Sequence, residues 1–143
     1  MSLYILDTNC FSELQKKHPV MVQRVEVNAE NLAVTIVTVE EAIRGWFDFI
    51  RKASTSSQAD KLVWGYTRLW DTLDDFKNLN ILKFDQNAFT IYTEFRRQKI
   101  RISTQDLRIA AIVLANNAIL VTRNKQDFEK VPGLVQEDWT IQP

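Results

Sequence analysis

Short apolar runs alternate along this chain with longer stretches in which apolar residues recur every three or four positions. Leu3-Tyr4-Ile5-Leu6 is a four-residue apolar run and reads as a buried strand, with a helix starting near Cys10. Ala33-Val34-Thr35-Ile36-Val37 is a second, β-branched run and predicts a core strand over 33–37. Beyond it Val39, Ile43, Trp46 and Ile50 form a stripe at helical spacing. The polar stretch 54–60 reads as a loop or helix start, and an amphipathic helix follows over 61–78, anchored by Trp64, Leu69, Leu73 and Phe76. Residues 81–84 predict a short strand, and 86–99 a helix ending in the basic cluster Arg96, Arg97, Lys99 and Arg101. Leu107 to Asn117 is an almost wholly apolar helix, buried on most sides. Residues 118–122 give another core strand, Arg123 to Phe128 a helical turn, and 134–141 an edge strand. Strands alternating with helices in this order predict an α/β/α sandwich around a central, mostly parallel sheet.

Composition narrows the function classes. The length, 143 residues, predicts one domain spanning 1–143. Only three Gly and three Pro oppose a sandwich of many tight turns. One cysteine, Cys10, excludes an internal disulfide and a Cys-rich zinc site. One histidine, His18, argues against an all-His metal site and a Ser-His-Asp triad; beside Pro19 in a polar turn it reads as a solvated loop residue. No run reaches the ~18 apolar residues of a membrane span. The N-terminus lacks a basic segment followed by a longer apolar stretch, so a signal peptide is not expected and the expected compartment is the cytoplasm. The balance of 18 basic and 18 acidic residues differs from the profile of a dedicated nucleic-acid binder, so any such contact needs local basic patches.

The chemistry gathers where strands end. Asp7 follows the first run, Glu41 the second, and Asn124 and Asp127 follow 118–122, while Asp106 opens the apolar helix. In open parallel sheets ligands bind outside the carboxyl ends of the strands. Side chains distant in sequence therefore have one crevice in which to meet. Carboxylates about 4 Å apart repel by about 4 kcal/mol at an effective dielectric of about 20, and a cation removes that cost. An all-oxygen set without His or Cys suits Mg²⁺ or Mn²⁺, which can activate water against a phosphodiester. Each acid also has a purely local role open to it. Asp7 can cap the helix near Cys10. Thr38-x-x-Glu41 fits a capping box. Asp106 sits in a first turn behind Ser103 or Thr104, where the helix dipole favours an acid. Asn124 and Asp127 are ordinary turn residues. The two readings are compatible, because helix N-termini hold carboxylates ionised.

The segments LDTN (6–9), TVEEAIRG (38–45), STQDLRIAA (103–111), LVTRNKQDF (120–128) and VPGLVQEDW (131–139) occur in an order that resembles PIN-domain ribonucleases, and among them the VapC-type toxins of toxin–antitoxin pairs. The resemblance implies a PIN-like fold and a Mg²⁺- or Mn²⁺-dependent endoribonuclease. It implies catalytic positions at Asp7, Glu41, Asp106 and Asn124, with Asp7 and Asp106 as the metal ligands. Thr8, Asn9 and Thr122 match polar positions that orient the acids or water. The family carries Asp or Asn at the Asn124 position; Asn brings an oxygen without a charge, and Asp127 is assigned a supporting role. Glu41 is preferred to Glu40 because it lies four residues before Gly45; Glu40 is expected to pair with Arg44 one turn on. The family usually has a Gly near the place of Lys99.

Acids at a phosphate site need a positive rim, and Arg101, Arg108, Arg123 and Lys125 are the candidates, unless they form only a solvated face. The resemblance implies an RNA substrate, often tRNA, a homodimer, and a cognate antitoxin. The helix carrying Trp46, Phe47, Phe49 and Ile50, with the 61–78 helix, is expected to form the antitoxin's groove, or else to pack the core. Two other readings compete: a catalytically weak or inactive PIN-fold module that binds RNA or protein, and a phosphatase-like or flap-nuclease-like enzyme acting on DNA.

Overall fold

A computed structural model describes residues 2–55 and 59–141. The chain forms β1 (Tyr4–Leu6), α1 (Thr8–Gln15), α2 (Pro19–Val27), a 3₁₀ turn (Ala29–Asn31), β2 (Leu32–Thr35), α3 (Ile36–Ser54) and α4 (Ala59–Lys77). It continues through β3 (Asn80–Leu82), α5 (Gln86–Arg97), α6 (Thr104–Ala115), β4 (Ile119–Val121), α7 (Lys125–Phe128) and β5 (Gln136–Glu137). The sheet order is β3-β2-β1-β4-β5, and every neighbouring pair is parallel. The expectation of a mostly parallel sheet is thus met by a wholly parallel one.

This order fixes where a ligand can enter. From β1 the chain builds outward through β2 to β3, then returns to lay β4 on β1's other side. The connections after β1 and β4 diverge, which opens a crevice at the carboxyl ends of those two strands. Tyr4, Ile5 and Leu6 pair with Ile119, Leu120 and Val121, so the two strands end level with one another.

Side-chain alternation divides the interior into two cores. Ile5, Ala33 and Leu120 face the layer of α5 and α6, with Tyr92, Phe95 and Ile109. Leu6, Val34 and Val121 face the opposite layer, with Phe11, Met21, Phe76 and Trp139. Trp139 is fully buried against Tyr4, ring centroids 5.0 Å apart, under the guanidinium of Arg24. The apolar helix over 107–117 is α6; Leu107 and Ile109 to Val113 are all buried.

Several boundaries depart from the expectations: the strand over 81–84 runs from Asn80 to Leu82, and the helix over 86–99 ends at Arg97. Ile36 and Val37 belong to α3, not to the strand, because Thr35 caps the helix: its Oγ1 accepts from the Thr38 N–H at 3.2 Å. His18 is no loop residue; its Nδ1 accepts from the Met21 N–H at 3.3 Å and caps α2, with Pro19 at the first helical position. The edge strand over 134–141 shortens to Gln136–Glu137. Of the polar stretch 54–60, residues 56–58 lie outside the described residues.

Gly65 lets α3 and α4 approach closely. A methyl group there would stand 2.8 Å from Cδ1 of Phe49 and 3.0 Å from Cγ1 of Ile50. The seam is filled by Trp46, Phe49 and Trp64 in edge-to-face contact. The two helices therefore seal against each other along this seam. Apolar concavities lie on α4, at Val63, Tyr66 and Trp70, and between α1 and α3.

Candidate active site

Asp7 leaves β1 at the crevice and is 4% exposed. Its Oδ1 accepts from the Cys10 N–H at 2.8 Å, so it caps α1 as expected. Its Oδ2 accepts from the Thr122 hydroxyl at 2.6 Å. That bond crosses from the end of β4 to the end of β1. Burial pushes the Asp7 carboxyl above the ordinary carboxylate range, and the Thr122 and Cys10 hydrogen bonds offset part of the rise.

Thr122 also accepts from the Asn124 N–H at 2.9 Å. The Asn124 side-chain amide then donates to Asp127 Oδ2 at 2.9 Å. Asp127 thereby holds the Asn124 NH₂ in place. Asn124 stands at the start of α7 and makes no side-chain cap.

Glu41 enters from the first turns of α3. Thr8 donates its hydroxyl to Glu41 Oε1 at 2.6 Å. The Thr8 and Thr38 hydroxyls are 2.9 Å apart. Thr8 has one proton and gives it to the carboxylate, so Thr38 is the donor to Thr8. Glu41 therefore does not close a capping box on Thr38; the cap lies one turn earlier, at Thr35. Glu40 points elsewhere, taking Arg44 at 2.8 Å and Gln105 at 2.8 Å.

Asp106 arrives in the first turn of α6, whose cap is Ser103 accepting from the Asp106 N–H at 3.1 Å. Its carboxyl is raised above the ordinary range by burial first, then by the charges of Asp7, Glu41 and Asp127, with the Ser103 side chain offsetting part. One carboxyl thus feels acids from the ends of β1 and β4 and from α3. Asp7, Glu41 and Asp127 all lie within electrostatic reach of Asp106, Asn124 is hydrogen-bonded to Asp127, and Thr8 and Thr122 are bonded to Glu41 and Asp7.

The donor set suits a hard divalent ion: carboxylate and amide oxygens only, with Cys10 turned into the core and His18 engaged as a cap. Among the described residues, no three Asp, Glu, His or Cys side chains stand close enough to form a finished metal cage. Glu41 is held by Thr8 and Asp127 by Asn124.

The expected rim divides. Arg123 faces α1, its guanidinium 3.6 Å from Glu13. Lys125 is exposed at the start of α7. Arg108 lies over Tyr92 and donates to Gln105 at 2.9 Å. Arg101 is exposed, and its carbonyl takes the Lys130 ammonium. Arg97 is engaged by Glu94 in two hydrogen bonds, which hold the Glu94 carboxyl down at about 2. Thr38, readable from the sequence only as a capping residue, has a buried hydroxyl that completes the Glu41 relay. A buried Thr on a helix face beside a site acid carries only a faint signal, since its partner Thr8 lies thirty residues away.

Comparison with known proteins agrees with this architecture. The PIN domain family pattern matches residues 4–134. The chain is 30% identical over 142 residues to Ribonuclease VapC1 of Haemophilus influenzae (strain R2866), covering 96% of this chain and 98% of the relative. It is 28% identical over 145 residues to the tRNA(fMet)-specific endonuclease VapC of Shigella flexneri, covering 98% of this chain and all of that one. In the structure of VapBC-1 from nontypeable Haemophilus influenzae, a chain 26% identical superposes with a TM-score of 0.76, covering 97% and 99% of the two chains. The chain belongs to the PIN-domain family, in its VapC-type branch.

Proposed function

We propose that this protein is a divalent-cation-dependent endoribonuclease, the toxin of a toxin–antitoxin pair, hydrolysing phosphodiester bonds in RNA. The observation that carries the reading is Asp106, whose carboxyl feels Asp7, Glu41 and Asp127 at once. Such mutual repulsion is costly unless a cation shares the site. The relatives' names point the same way, one a ribonuclease and one an endonuclease specific for tRNA(fMet). A tRNA is accordingly the first substrate to try.

Asp7, Asp106 and Glu41 would hold Mg²⁺ or Mn²⁺, with the Asn124 carbonyl oxygen as a neutral fourth ligand. A bound ion of this kind supplies a Lewis acid for the phosphate and acidifies a water. The chain's own residues do the positioning. Thr122 and the Cys10 N–H clamp both oxygens of Asp7. Thr8 holds one oxygen of Glu41 and leaves the other to the site. Asp127 engages the Asn124 NH₂, which leaves the Asn124 carbonyl oxygen without a role as an internal acceptor. Burial keeps the Asp7 and Asp106 carboxyls from ionising as early as ordinary acids do.

The solved neighbour is a VapBC complex, and exposed apolar side chains give this chain a surface for a protein partner. Phe47 on α3 and Val63, Tyr66 and Trp70 on α4 are all more than half exposed. The antitoxin is assigned to this α3–α4 surface, and the toxin is taken to act as a homodimer.

The deciding experiment is cleavage of purified tRNA by wild type and Asp106→Ala under Mg²⁺ and Mn²⁺ titration, with a DNA strand of matching sequence alongside. Cation-dependent RNA cleavage that is lost in the folded variant supports the reading. Wild-type cleavage by Asp106→Ala, or preference for DNA, overturns it.

A further inference from the structure

Between α1 and the turn after β4 lies a cavity of about 370 Å³. It is lined by Asn9, Ser12, Glu13, Lys16, Arg123 and Asn124. Every lining side chain is polar. Asn9, Ser12 and Glu13 of α1 and Lys16 at its carboxyl-terminal cap fall at helical intervals on one face, while Cys10 and Phe11 turn into the core. The opposite wall is the turn after β4. Asn124 belongs both to this wall and to the carboxylate site, so the two are continuous.

We propose that this cavity is a subsite for the RNA backbone phosphate next to the scissile one, bound by Lys16 and Arg123, with Glu13 as the counter-ion the phosphate displaces. The inference rests on the ribonuclease reading and extends it to substrate binding. Two cations, two amides and a hydroxyl around one concavity match phosphate and ribose oxygens. Glu13 is the one anion there, and its carboxylate lies 3.6 Å from the Arg123 guanidinium. Arg123 is 53% exposed at its side chain and Glu13 24%. A partly exposed pair of this kind adds little to stability. Exchanging it for a phosphate–guanidinium pair, with its bidentate geometry, therefore favours the bound strand. In the free protein the pair holds Arg123 over the cavity instead of letting it swing into solvent.

The test reads binding apart from cleavage. A short fluorescein-labelled single-stranded RNA is titrated with full-length protein in EDTA across a salt series. Lys16→Gln and Arg123→Gln are each expected to weaken binding and to flatten the slope of log affinity against log salt by about 0.7. Glu13→Gln is expected to tighten binding about threefold, the scale of one released exposed pair. Lys77→Gln makes the same charge change in the last turn of α4, ahead of the amino end of β3, and is expected to leave the slope as in wild type. Equal flattening in Lys77→Gln, unchanged slopes in Lys16→Gln and Arg123→Gln, or no tightening in Glu13→Gln each overturn the subsite. If wild type cleaves tRNA with Mg²⁺ but the slopes do not move, the subsite falls and the ribonuclease reading stands. If the slopes move and no RNA is cleaved, the cavity stands and hydrolysis falls.

Discussion

Thr122 gives its hydroxyl proton to Asp7 across the seam between β4 and β1, at 2.6 Å. The bond joins two residues 115 positions apart at the point where the sheet's connections diverge. It also sets the electrostatics, because it is the largest influence opposing the burial that raises the Asp7 carboxyl. Thr122→Val keeps the shape and removes the donor. Loss of such an orienting partner costs about 10–100-fold in activity or metal affinity, and the pH at which activity appears should move upward. Thr122→Ser should restore both. A Val variant with wild-type rate and pH profile would show that Asp7 needs no such clamp.

Asp7 and Asp106 both hold protons to higher pH in the folded chain than in the unfolded one. Between the unfolded value of about 4 and the raised folded value, the native state binds more protons. Stability therefore falls as pH rises through that window, and near neutral pH both ionised carboxylates weigh against the fold. Asp106→Asn removes one charge and should raise Tm at pH 7 while abolishing cleavage; each 1 kcal/mol relieved is worth about 3 °C in a chain of this size. At a pH below the window the two Tm values should converge. Mg²⁺ or Mn²⁺ should stabilise wild type by mass action and the variant far less. Thermal melts with and without the ion check both statements, and an unchanged or lower Tm for Asp106→Asn at pH 7 contradicts the first.

Glu40 and Glu41 are neighbours with different surroundings. Glu41 accepts a hydrogen bond from the Thr8 hydroxyl inside the crevice, whereas Glu40 is exposed and shared between Arg44 and Gln105. Glu41→Gln should cut cleavage on the order of a hundredfold, the scale on which a misplaced group in a site is felt. Glu40→Gln should cost stability only about 0.3–0.5 kcal/mol, as an exposed helix pair does, and leave the rate within a small factor. Single-turnover rates for the pair check the ranking, and its reversal would move the site by one residue.

Much of this site could be read along the chain because a parallel sheet puts every strand's exit on one edge. Asp7, Glu41 and Asn124 each follow a short apolar run, and that alone assigns them to the crevice. Asp106 stood out as an acid opening a helix with almost no other polar face. Less legible was anything set by a partner far off in sequence. Ile36 and Val37 continue a β-branched run, and only the hydroxyl of Thr35 turns them into helix. The Thr8–Thr38 contact, and the cavity formed by α1 with the turn at Arg123, exist only once β1 and β4 are side by side. His18 looked like a turn residue because Lys16 and Lys17 precede it, yet its ring nitrogen serves as a cap.

Gly65 should tolerate no side chain. Its missing Cβ would meet Phe49 and Ile50 at or within 3.0 Å, and both are held in the α3–α4 seam. Overpacking of this kind costs about 1–3 kcal/mol. Gly65→Ala should lower the denaturation midpoint accordingly and, through α3, loosen Glu41. A denaturant titration in which Gly65→Ala is as stable as wild type would mean that the two helices separate more easily than their packing implies.

Lys99 gives the opposite case. It follows the last turn of α5 at φ 57°, in the left-handed region that favours glycine. A side chain in that region costs about 1–2 kcal/mol, and glycine's extra freedom in the unfolded chain returns about 0.4–1 kcal/mol of it. Lys99→Gly should therefore stabilise the protein by roughly 0.5–1 kcal/mol, about 2–3 °C in Tm. Lys99→Ala loses the same charge but keeps the Cβ, and should gain nothing. If Ala stabilises as much as Gly, the gain comes from removing a positive charge beside Arg96, Arg97 and Arg101, and the backbone at Lys99 is not strained.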